Sequence, residues 1–538
     1  MMKLQVKAGL LLSFFLCMKA GFCVNAQESV FEKDGGVYLI QSAQDMRTLA
    51  LLVNRGKEVE PGVTAHNASY RLTRDIDLSA YCTGEEGWEP IGYRDTDDES
   101  QQEMLWEINE NTGREQETNA GYFNGIFDGG NHVVTGLYIN RLEKNAQGLF
   151  GGRRNIDLRK EDADSTVKQS GKNTVIRNLY VKDCDIRGDY GVGGIMGGGG
   201  YGWKEGGNLS IENCHVTGKI VGDRCAGGIA GQASTIKNCS FTGTVEAYKA
   251  GGIAGNAYYI YGCAVHAKVE GDESVGGVGG DVSCVRNSYV RGSVSGYVSV
   301  GGISGSGACL TGCYSMADVT GYRKTGGLIG NARWHSSLPT PEGSSNAVSI
   351  KNCLMGGYRM EATQEIREEI ESCYNNDVDK EHYYNGYICG FLGRNMVDFP
   401  LDPFYYRKGL VMEGFHRGFY DYPCFNSFPY DCTHLEETDF KDLLARPGEK
   451  WSDVWYCADD YAWPNLTWEK DSRFGYTVTV TVQEGDSLWE IADAVYGDGH
   501  FWTQIYEENK ERIGEDANLI LLGTDLEIVV NAAWRTGG

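Results

Sequence analysis

Between residues 211 and 330 one phrase recurs with a period of about 25 residues, and this limits what the chain can fold into more than any other feature. Its clearest word is Gly-Gly-apolar-x-Gly, at Gly227 to Gly231, Gly251 to Gly255, Gly276 to Gly280, Gly301 to Gly305 and Gly326 to Gly330. An Ile-x-Asn-Cys type of phrase alternates with it, at Ile211 to Cys214, Ile236 to Cys239, Ile260 to Cys263, Val285 to Ser288 and Leu310 to Cys313. A fixed period of this length marks a solenoid, in which each repeat packs on its neighbours and one repeat alone buries nothing.

Aligned in columns, the repeats predict their own geometry. The position before the Cys column reads Asn178, Asn213, Asn238, Gly262, Asn287, Gly312 and Asn352, residues that tolerate a left-handed backbone, so a tight turn is expected there. Period-two alternation then marks a strand that points Val216, Phe241, Val265 and Val290 inward, followed by Ile220, Val245, Val269, Val294 and Val319. After a small-residue column (Gly222, Ala247, Gly271, Gly296, Gly321), the glycine word supplies a third apolar column: Ile229, Ile253, Val278, Ile303 and Leu328. Three apolar columns separated by turns describe a parallel β-helix, its coils rising about 4.8 Å each.

Composition agrees: 74 glycines against 10 prolines in 538 residues keep the ladder-breaking residue rare. A formal charge of -25 argues against nucleic acid as a partner, since counterion displacement from phosphates needs a basic surface. Lys3 and Lys7 precede an apolar run from Ala8 to Met18, and Val24-Asn25-Ala26 has the small residues of a cleavage site. Residues 1–26 are therefore expected to be a signal peptide, and no later apolar run is long enough to span a bilayer in the mature chain. Of 17 cysteines, Cys17 and Cys23 leave with the signal. Cys214, Cys239, Cys263 and Cys313 share one column with Ser288, which points to small packing residues; Cys284 with Cys309 and Cys424 with Cys432 are the bridge candidates.

Upstream, a strand at Tyr38 to Ile40 leads to Ser42, which caps a helix running to about Asn54 and striped with Leu49, Leu52 and Val53; Asp45 is placed to complete a capping box. That helix is expected to close the first coil, because an open solenoid end exposes a strand edge. Residues 85–119 read as an acidic surface excursion. The repeats resemble the GLUG motif, found in secreted and surface-attached bacterial proteins, including adhesin-like chains and the repeat regions of some immunoglobulin A peptidases. Tyr70 to Leu78, Trp88 to Gly92 and Phe123 to His132 are similar to the leader that precedes such repeats. Trp451, Trp455 and the run Tyr461 to Trp468 resemble their Trp-rich closing segment, expected as an end cap, with a carbohydrate-stacking surface as the alternative.

The last segment reads β-α-α-β. Val478 to Val482 forms a strand, Ser487-Leu488-Trp489-Glu490 opens a helix, a second helix carries Trp502, Ile505, Tyr506 and Asn509, and Leu526 to Val530 returns as a strand. With Gly485-Asp486-Ser487-Leu488-Trp489 and Ile505-Tyr506-x-x-Asn509 in place, it resembles the lysin motif (LysM), although Leu522-Gly523 stands where that family has Pro-Gly. The resemblance implies binding of N-acetylglucosamine glycan such as peptidoglycan, in a groove between Gly485, Asp486, Ser487, Leu488 and Asn518, Leu519, Ile520, Leu521. Trp489 and Trp502, at helical core spacing, are expected to pack rather than to stack on sugars.

Catalysis on a β-helix face needs acids, or an acid with a basic partner, aligned across neighbouring coils. The outward columns read His215, Ser240, Ala264, Tyr289, Tyr314, then Thr217, Thr242, His266, Arg291, Met316, and show no such cluster. His-Glu-x-x-His is absent. Asp95, Asp97, Asp98 and Glu99 read as a solvated loop, so neither a metal nor a cofactor is expected. The spacing from the glycine word to the next Ile-type column is five residues from Gly231 to Ile236, but 25 from Gly151 to Ile176, 14 from Gly197 to Ile211 and 20 from Gly330 to Ile350. These insertions leave one edge, where Arg153, Arg154, Tyr201, Trp203, Trp334 and His335 are candidate recognition residues, or else tolerated surface loops.

The resulting expectation is a mainly β chain: an N-terminal capping region over 27–120, a GLUG-repeat parallel β-helix over 121–375, an aromatic-rich cap over 376–470 and a LysM domain over 476–530. Its function is expected to be that of a secreted, cell-wall-associated bacterial protein, not an enzyme. LysM holds peptidoglycan while the β-helix displays a surface for adhesion or assembly to an unknown surface or host partner. A glycan-active enzyme localised by LysM, and a purely structural assembly protein, are the alternatives.

Overall fold

The computed structural model describes residues 29–93, 106–108, 115–117, 121–152, 174–198, 209–332, 349–356, 359–362, 388–389, 404–407, 411–413, 427–430, 437–444, 449–457, 463–471, 476–482, 485–496 and 499–530. The chain is mainly β, and most of its described strands build one large, mainly parallel ladder. One run of that ladder passes through β1 (Val37–Ile40), β2 (Ser69–Leu72), β3 (Ile126–Thr135), β4 (Thr174–Gly193) and β5 (Leu209–Gly227). It continues through β6 (Ser240–Ala247), β7 (Ala264–Gly271), β8 (Tyr289–Gly301) and β9 (Tyr314–Gly326), then β10 (Leu354–Met355), β11 (Phe404–Arg407) and β12 (Ser427–Tyr430). Each strand pairs in parallel with the next, so the fold is a β-helix-like stack of coils. The stack extends beyond the expected 121–375 at both ends: β1 and β2 precede it, and β11 and β12 follow it.

The column logic of the sequence accounts for this geometry. Asn178, Asn213, Asn238, Asn287 and Asn352 all have φ between 46° and 54°, with Gly262 and Gly312 at 60° and 63°, so the column is a left-handed turn throughout. The asparagines also bond along the stack, Asn213 Nδ2 donating to Asn178 Oδ1 at 3.2 Å. All three apolar columns are buried, from Phe241 and Val265 to Ile229, Ile253 and Leu328. The second glycine of each word has no room for a side chain. A Cβ on Gly228, Gly252, Gly277 or Gly302 would overlap the carbonyl oxygen of Gly252, Gly277, Gly302 or Gly327, its counterpart in the next coil. The word is thus required by the closeness of backbone to backbone.

The Cys column is buried and does more than fill space. Each thiol donates to the carbonyl two residues before it, Cys239 Sγ to Lys237 O at 3.2 Å and Cys353 Sγ to Lys351 O at 3.2 Å. Cys239 also receives a backbone N–H from the previous coil, Cys214 N donating to its Sγ at 3.4 Å. Ser288 performs both tasks with its hydroxyl, which explains the Cys/Ser interchange. Burial pushes the Cys214, Cys263 and Cys313 thiols well up. A thiolate at any of these three would be a buried charge without a counter-ion, so Cys214, Cys263 and Cys313 are held as protonated thiols. Cys284 and Cys309, a bridge candidate, face each other in register and pack with Tyr259; Cys424 and Cys432 lie outside the described residues.

At the N-terminal end, Lys33–Asp34 pairs antiparallel with β1 and covers its edge. Helix α1 (Ala43–Asn54) follows, with Ser42 Oγ accepting from Asp45 N–H as predicted. The Asp45 carboxylate reaches one residue further back than a capping box, to Gln41 N–H at 2.9 Å. Met46, Leu49, Ala50 and Val53 are buried in the core that begins with Tyr38, Ile40 and Tyr70. Residues 85–93 correct the expectation of a surface excursion, because Trp88 and Ile91 are fully buried. The Trp88 ring Nε1–H donates to Leu149 O at 3.3 Å, which ties this segment to the coils. Residues 1–26 and Asp95, Asp97, Asp98 and Glu99 lie outside the described residues.

The aromatic segment lies elsewhere than expected. Instead of closing an end, its described part runs along a flank of the stack. Helix α2 (Glu437–Leu444), Trp455, Trp463 and Leu466 pack onto Ala264, Tyr289, Tyr314, Met316 and Leu354, residues of successive coils. The Trp468 ring N–H donates to Gly262 O at 2.9 Å, two coils away from Gly312 in the same turn column. Much of the outward columns expected to face solvent is therefore covered: Ala264, His266, Tyr289, Arg291, Tyr314 and Met316 are buried, while His215, Thr217 and Ser240 stay half-buried. The physical reason is that a tyrosine and methionine column offers a second, smaller apolar face, and the returning chain removes it from water.

Candidate binding site and the sealed flank

The C-terminal unit is built as the sequence reading expects. Strand β13 (Tyr476–Thr481) pairs antiparallel with β14 (Asp525–Val530), and helices α3 (Leu488–Tyr496) and α4 (Trp502–Glu508) lie between them. Ser487 and Glu490 form a reciprocal cap on α3: Glu490 N–H donates to Ser487 Oγ at 3.2 Å and Ser487 N–H to Glu490 Oε2 at 3.1 Å. Asn509, 2 % exposed, joins α4 to β14. Its Nδ2 donates to Glu527 O at 2.7 Å and its Oδ1 accepts from Glu527 N–H at 2.8 Å, so one amide replaces a missing strand partner.

Two turns meet at one end of the small sheet. Gly523 N–H donates to Val482 O at 2.8 Å and Val482 N–H to Thr524 O at 2.9 Å, which holds the 518–524 segment against the end of β13, where the 485–488 turn departs. Gly485 turns with φ 93° and Gly523 with φ 80°. Gly485 is exposed and Asp486 half-buried in the first turn, and the other six candidate residues divide into three roles. Leu488 is buried and Ile520 packs against the same core, so both support the turns from beneath. The Ser487 hydroxyl is engaged in the helix cap, and Asn518 bonds Asp516 through its backbone N–H at 3.0 Å and side-chain Nδ2 at 3.2 Å. Leu519 and Leu521, 61 % and 62 % exposed, are left facing solvent, joined by Leu522 at 69 %. Trp489 corrects another expectation: it is 46 % exposed, its ring edge-on to His500 at 4.6 Å, whereas Trp502 packs on the core.

The unit docks onto the stack at Arg291. This side chain is 1 % exposed; it donates to Val495 O at 2.6 Å, Tyr314 Oη at 3.2 Å and Asn465 Oδ1 at 3.4 Å, and lies over the Tyr289 ring at 5.0 Å. Around it, His266 Nε2 and Tyr289 Oη are 3.0 Å apart, and Tyr289 Oη donates to Glu469 Oε1 at 2.8 Å. Sequence columns read one coil at a time did not reveal this cluster, because Asn465, Glu469 and Val495 come from distant segments. A guanidinium in an outward column, next to the column that holds Tyr289 and Tyr314, was the available signal. Glu469, His266 and Arg291 meet around Tyr289 and all four are buried, so the arrangement fastens strap and unit to the stack.

The candidate recognition residues Arg153, Arg154, Tyr201, Trp203, Trp334 and His335 lie outside the described residues. Among the described residues no group of three or more His, Cys, Asp or Glu side chains is placed to hold a metal ion. No described helix is long and apolar enough to cross a membrane.

Residues 222–246 match the family model described as the GLUG motif. They span one glycine word, the Asn238 turn and the Cys239 position. Halomucin of Haloquadratum walsbyi is 29% identical over 177 residues, 32% of this chain and 1% of its own length. A provisionally named Gly-rich membrane protein of Evansella cellulosilytica is 28% identical over 194 residues, 35% of this chain and 16% of its own length. The chain thus spans a small part of both relatives. Among solved structures, a Bacteroides ovatus protein provisionally named an immunoglobulin A1 protease aligns over 81% of this chain and 95% of its own, with 16% identity and a TM-score of 0.41. A second, named IgA1 protease, aligns over 60% of this chain and 21% of its own at 16% identity and a TM-score of 0.29. The chain is a mainly β repeat protein that contains a GLUG motif at residues 222–246 and is similar over about a third of its length to halomucin and to the Gly-rich membrane protein.

Proposed function

We propose that this is a secreted, surface-associated binding protein in which a β-helix-like stack serves as a rigid spine. The C-terminal βααβ unit, read as a lysin motif, holds N-acetylglucosamine glycan such as peptidoglycan, and the stack displays a surface for adhesion or assembly. The observation that carries this reading is the pair of turns at one end of the small sheet, with Leu519, Leu521 and Leu522 exposed beside backbone amides and carbonyls. An amphipathic sugar asks for that combination: apolar support under the ring and polar backbone groups at its acetamido substituent. The reading is binding rather than catalysis, since the acid and base groups of the stack flank are sealed.

The test is sedimentation of the full chain with insoluble peptidoglycan, comparing wild type with a Leu519→Asp, Leu521→Asp double variant. Both residues are exposed, so the fold is expected to survive. The wild type should co-sediment and the variant should stay in solution. Equal retention of the two forms would remove the βααβ unit from any role in anchoring.

A further inference from the structure

A second feature lies on the stack itself, at the corner that follows the small-residue column, and it is independent of the βααβ unit. Outward residues form two adjoining rows there. One runs Asp272, Tyr297, Tyr322: Tyr297 N–H donates to Asp272 O at 3.0 Å, and Tyr297 and Tyr322 stack with centroids 4.4 Å apart and planes within 5°. The other runs Glu273, Val298, Arg323 in strand register, and Tyr248 in the coil below precedes both rows, its carbonyl accepting from Asp272 N–H at 3.1 Å and from Glu273 N–H at 2.7 Å.

The aromatic stack is closed at one end and open at the other. Tyr322 is 9 % exposed, covered by Tyr297 and by the Arg323 guanidinium 5.3 Å from its ring, while Tyr297 is 50 % exposed and Tyr248 43 %. Where the next ring would continue the stack, Asp272 offers only a short carboxylate. The result is a slot one coil deep, about 4.8 Å, which is close to the thickness of a flat ring. Tyr297 bounds it on one side, Tyr248 borders it from the coil below, and the carboxylates of Asp272 and Glu273 line it. Glu273 is steadied by a hydrogen bond from the Tyr248 hydroxyl. Of the neighbouring cations, Arg224 donates to both Asp189 carboxylate oxygens at 2.7 and 2.6 Å and Arg323 lies over the Tyr322 ring. With a formal charge of -25 on the chain, an anionic polymer is repelled.

We propose that this corner is a glycan-binding site, which takes a neutral pyranose ring on the outer face of Tyr297 while the sugar hydroxyls donate to Asp272 and Glu273. The depth of the slot favours a flat ring over an extended side chain, and the acceptors suit a ligand rich in hydroxyl donors.

The test is affinity electrophoresis of the full chain in native gels containing β-glucan, galactomannan or glycogen. All proteins carry Leu519→Asp and Leu521→Asp, so retention by the βααβ unit cannot intervene. At least one polysaccharide should retard the parent, Tyr297→Ala should bind about tenfold more weakly, and Tyr297→Phe should retain binding. Asp272→Lys, a change at an exposed residue that fills the slot, should abolish retardation and provides the answer if Tyr297→Ala melts earlier than Tyr297→Phe. Undiminished retardation in Asp272→Lys and Tyr297→Ala overturns the proposal, as does retardation of the parent by none of the three. Capture of oligolysine through the same residues, with no polysaccharide bound, also overturns it and makes the corner a docking site for a cationic peptide.

Discussion

The Asn column shows how much a single residue type can specify. Asn238 sits at φ 52°, a conformation an ordinary L-residue adopts at a cost of about 1–2 kcal/mol. Asn238→Ala should therefore lower stability by about 1 kcal/mol, and Asn238→Gly by less, as glycine already serves at the equivalent Gly262 and Gly312. Urea unfolding of both variants would measure the difference. His215 carries a second residue-scale expectation. Its ring lies 4.6 Å from Tyr180 and 4.9 Å from Trp468, and burial depresses its pKa from 6.5 to about 3. The neutral imidazole is favoured in the fold, whereas the unfolded chain takes up a proton near its ordinary value. The contribution of His215 is thus complete above about pH 6.5 and is lost progressively as pH falls toward 3. The melting temperature should fall less between pH 7 and about 4.5 in His215→Phe than in the wild type.

The element scale is governed by the contact of one coil with the next. The glycine word was legible as a repeat, but its reason is visible only in the stack, where each second glycine touches the carbonyl of its counterpart. Gly252→Ala would drive a Cβ into Gly277 O and the Val265 side chain, and neither can retreat without shifting a coil. We expect a loss of about 3 kcal/mol or more. Gly36→Ala, which meets nothing within 4 Å, should leave the thermal midpoint unchanged and serves as its control. The three apolar columns and the left-handed turns could be read from sequence because period and alternation encode them locally. The bounds of the stack could not: β1, β2, β11 and β12 lack the repeated word, yet they pair with the coils through backbone hydrogen bonds that need no particular side chains.

Across the whole molecule, one buried guanidinium bonds both the strap and the βααβ unit to the stack, beside the strap's own Trp468–Gly262 and Glu469–Tyr289 bonds. Arg291→Ala would leave Val495 O without its donor and open a cavity between the three bodies, at a cost of about 3 kcal/mol. Hydrogen exchange should rise in α3 and in residues 463–469, while the inward columns from Ile229 to Ile303 keep their protection. Equal exchange in wild type and variant would show that the docking does not depend on this side chain. The same contacts imply that the exposed leucines of the βααβ unit are carried in a fixed orientation on the spine.

The sequence by itself determined the coil: its period, its left-handed asparagine turns, its apolar columns and the Cys/Ser column, since these are interactions between a residue and the same residue one repeat away. It also determined the βααβ order and the helix that opens at Ser487, which are local. Only the tertiary structure decided which outward residues remain outward. Tyr289, Tyr314, His266 and Arg291 alternate with core residues as solvent-facing side chains do, and nothing within their own coil distinguishes them from Tyr297. They are buried because Trp455, Trp463 and Leu466, more than a hundred residues later, return to that face and remove it from water. The Tyr248–Tyr297 corner has no described segment returning over it and keeps its aromatic surface open.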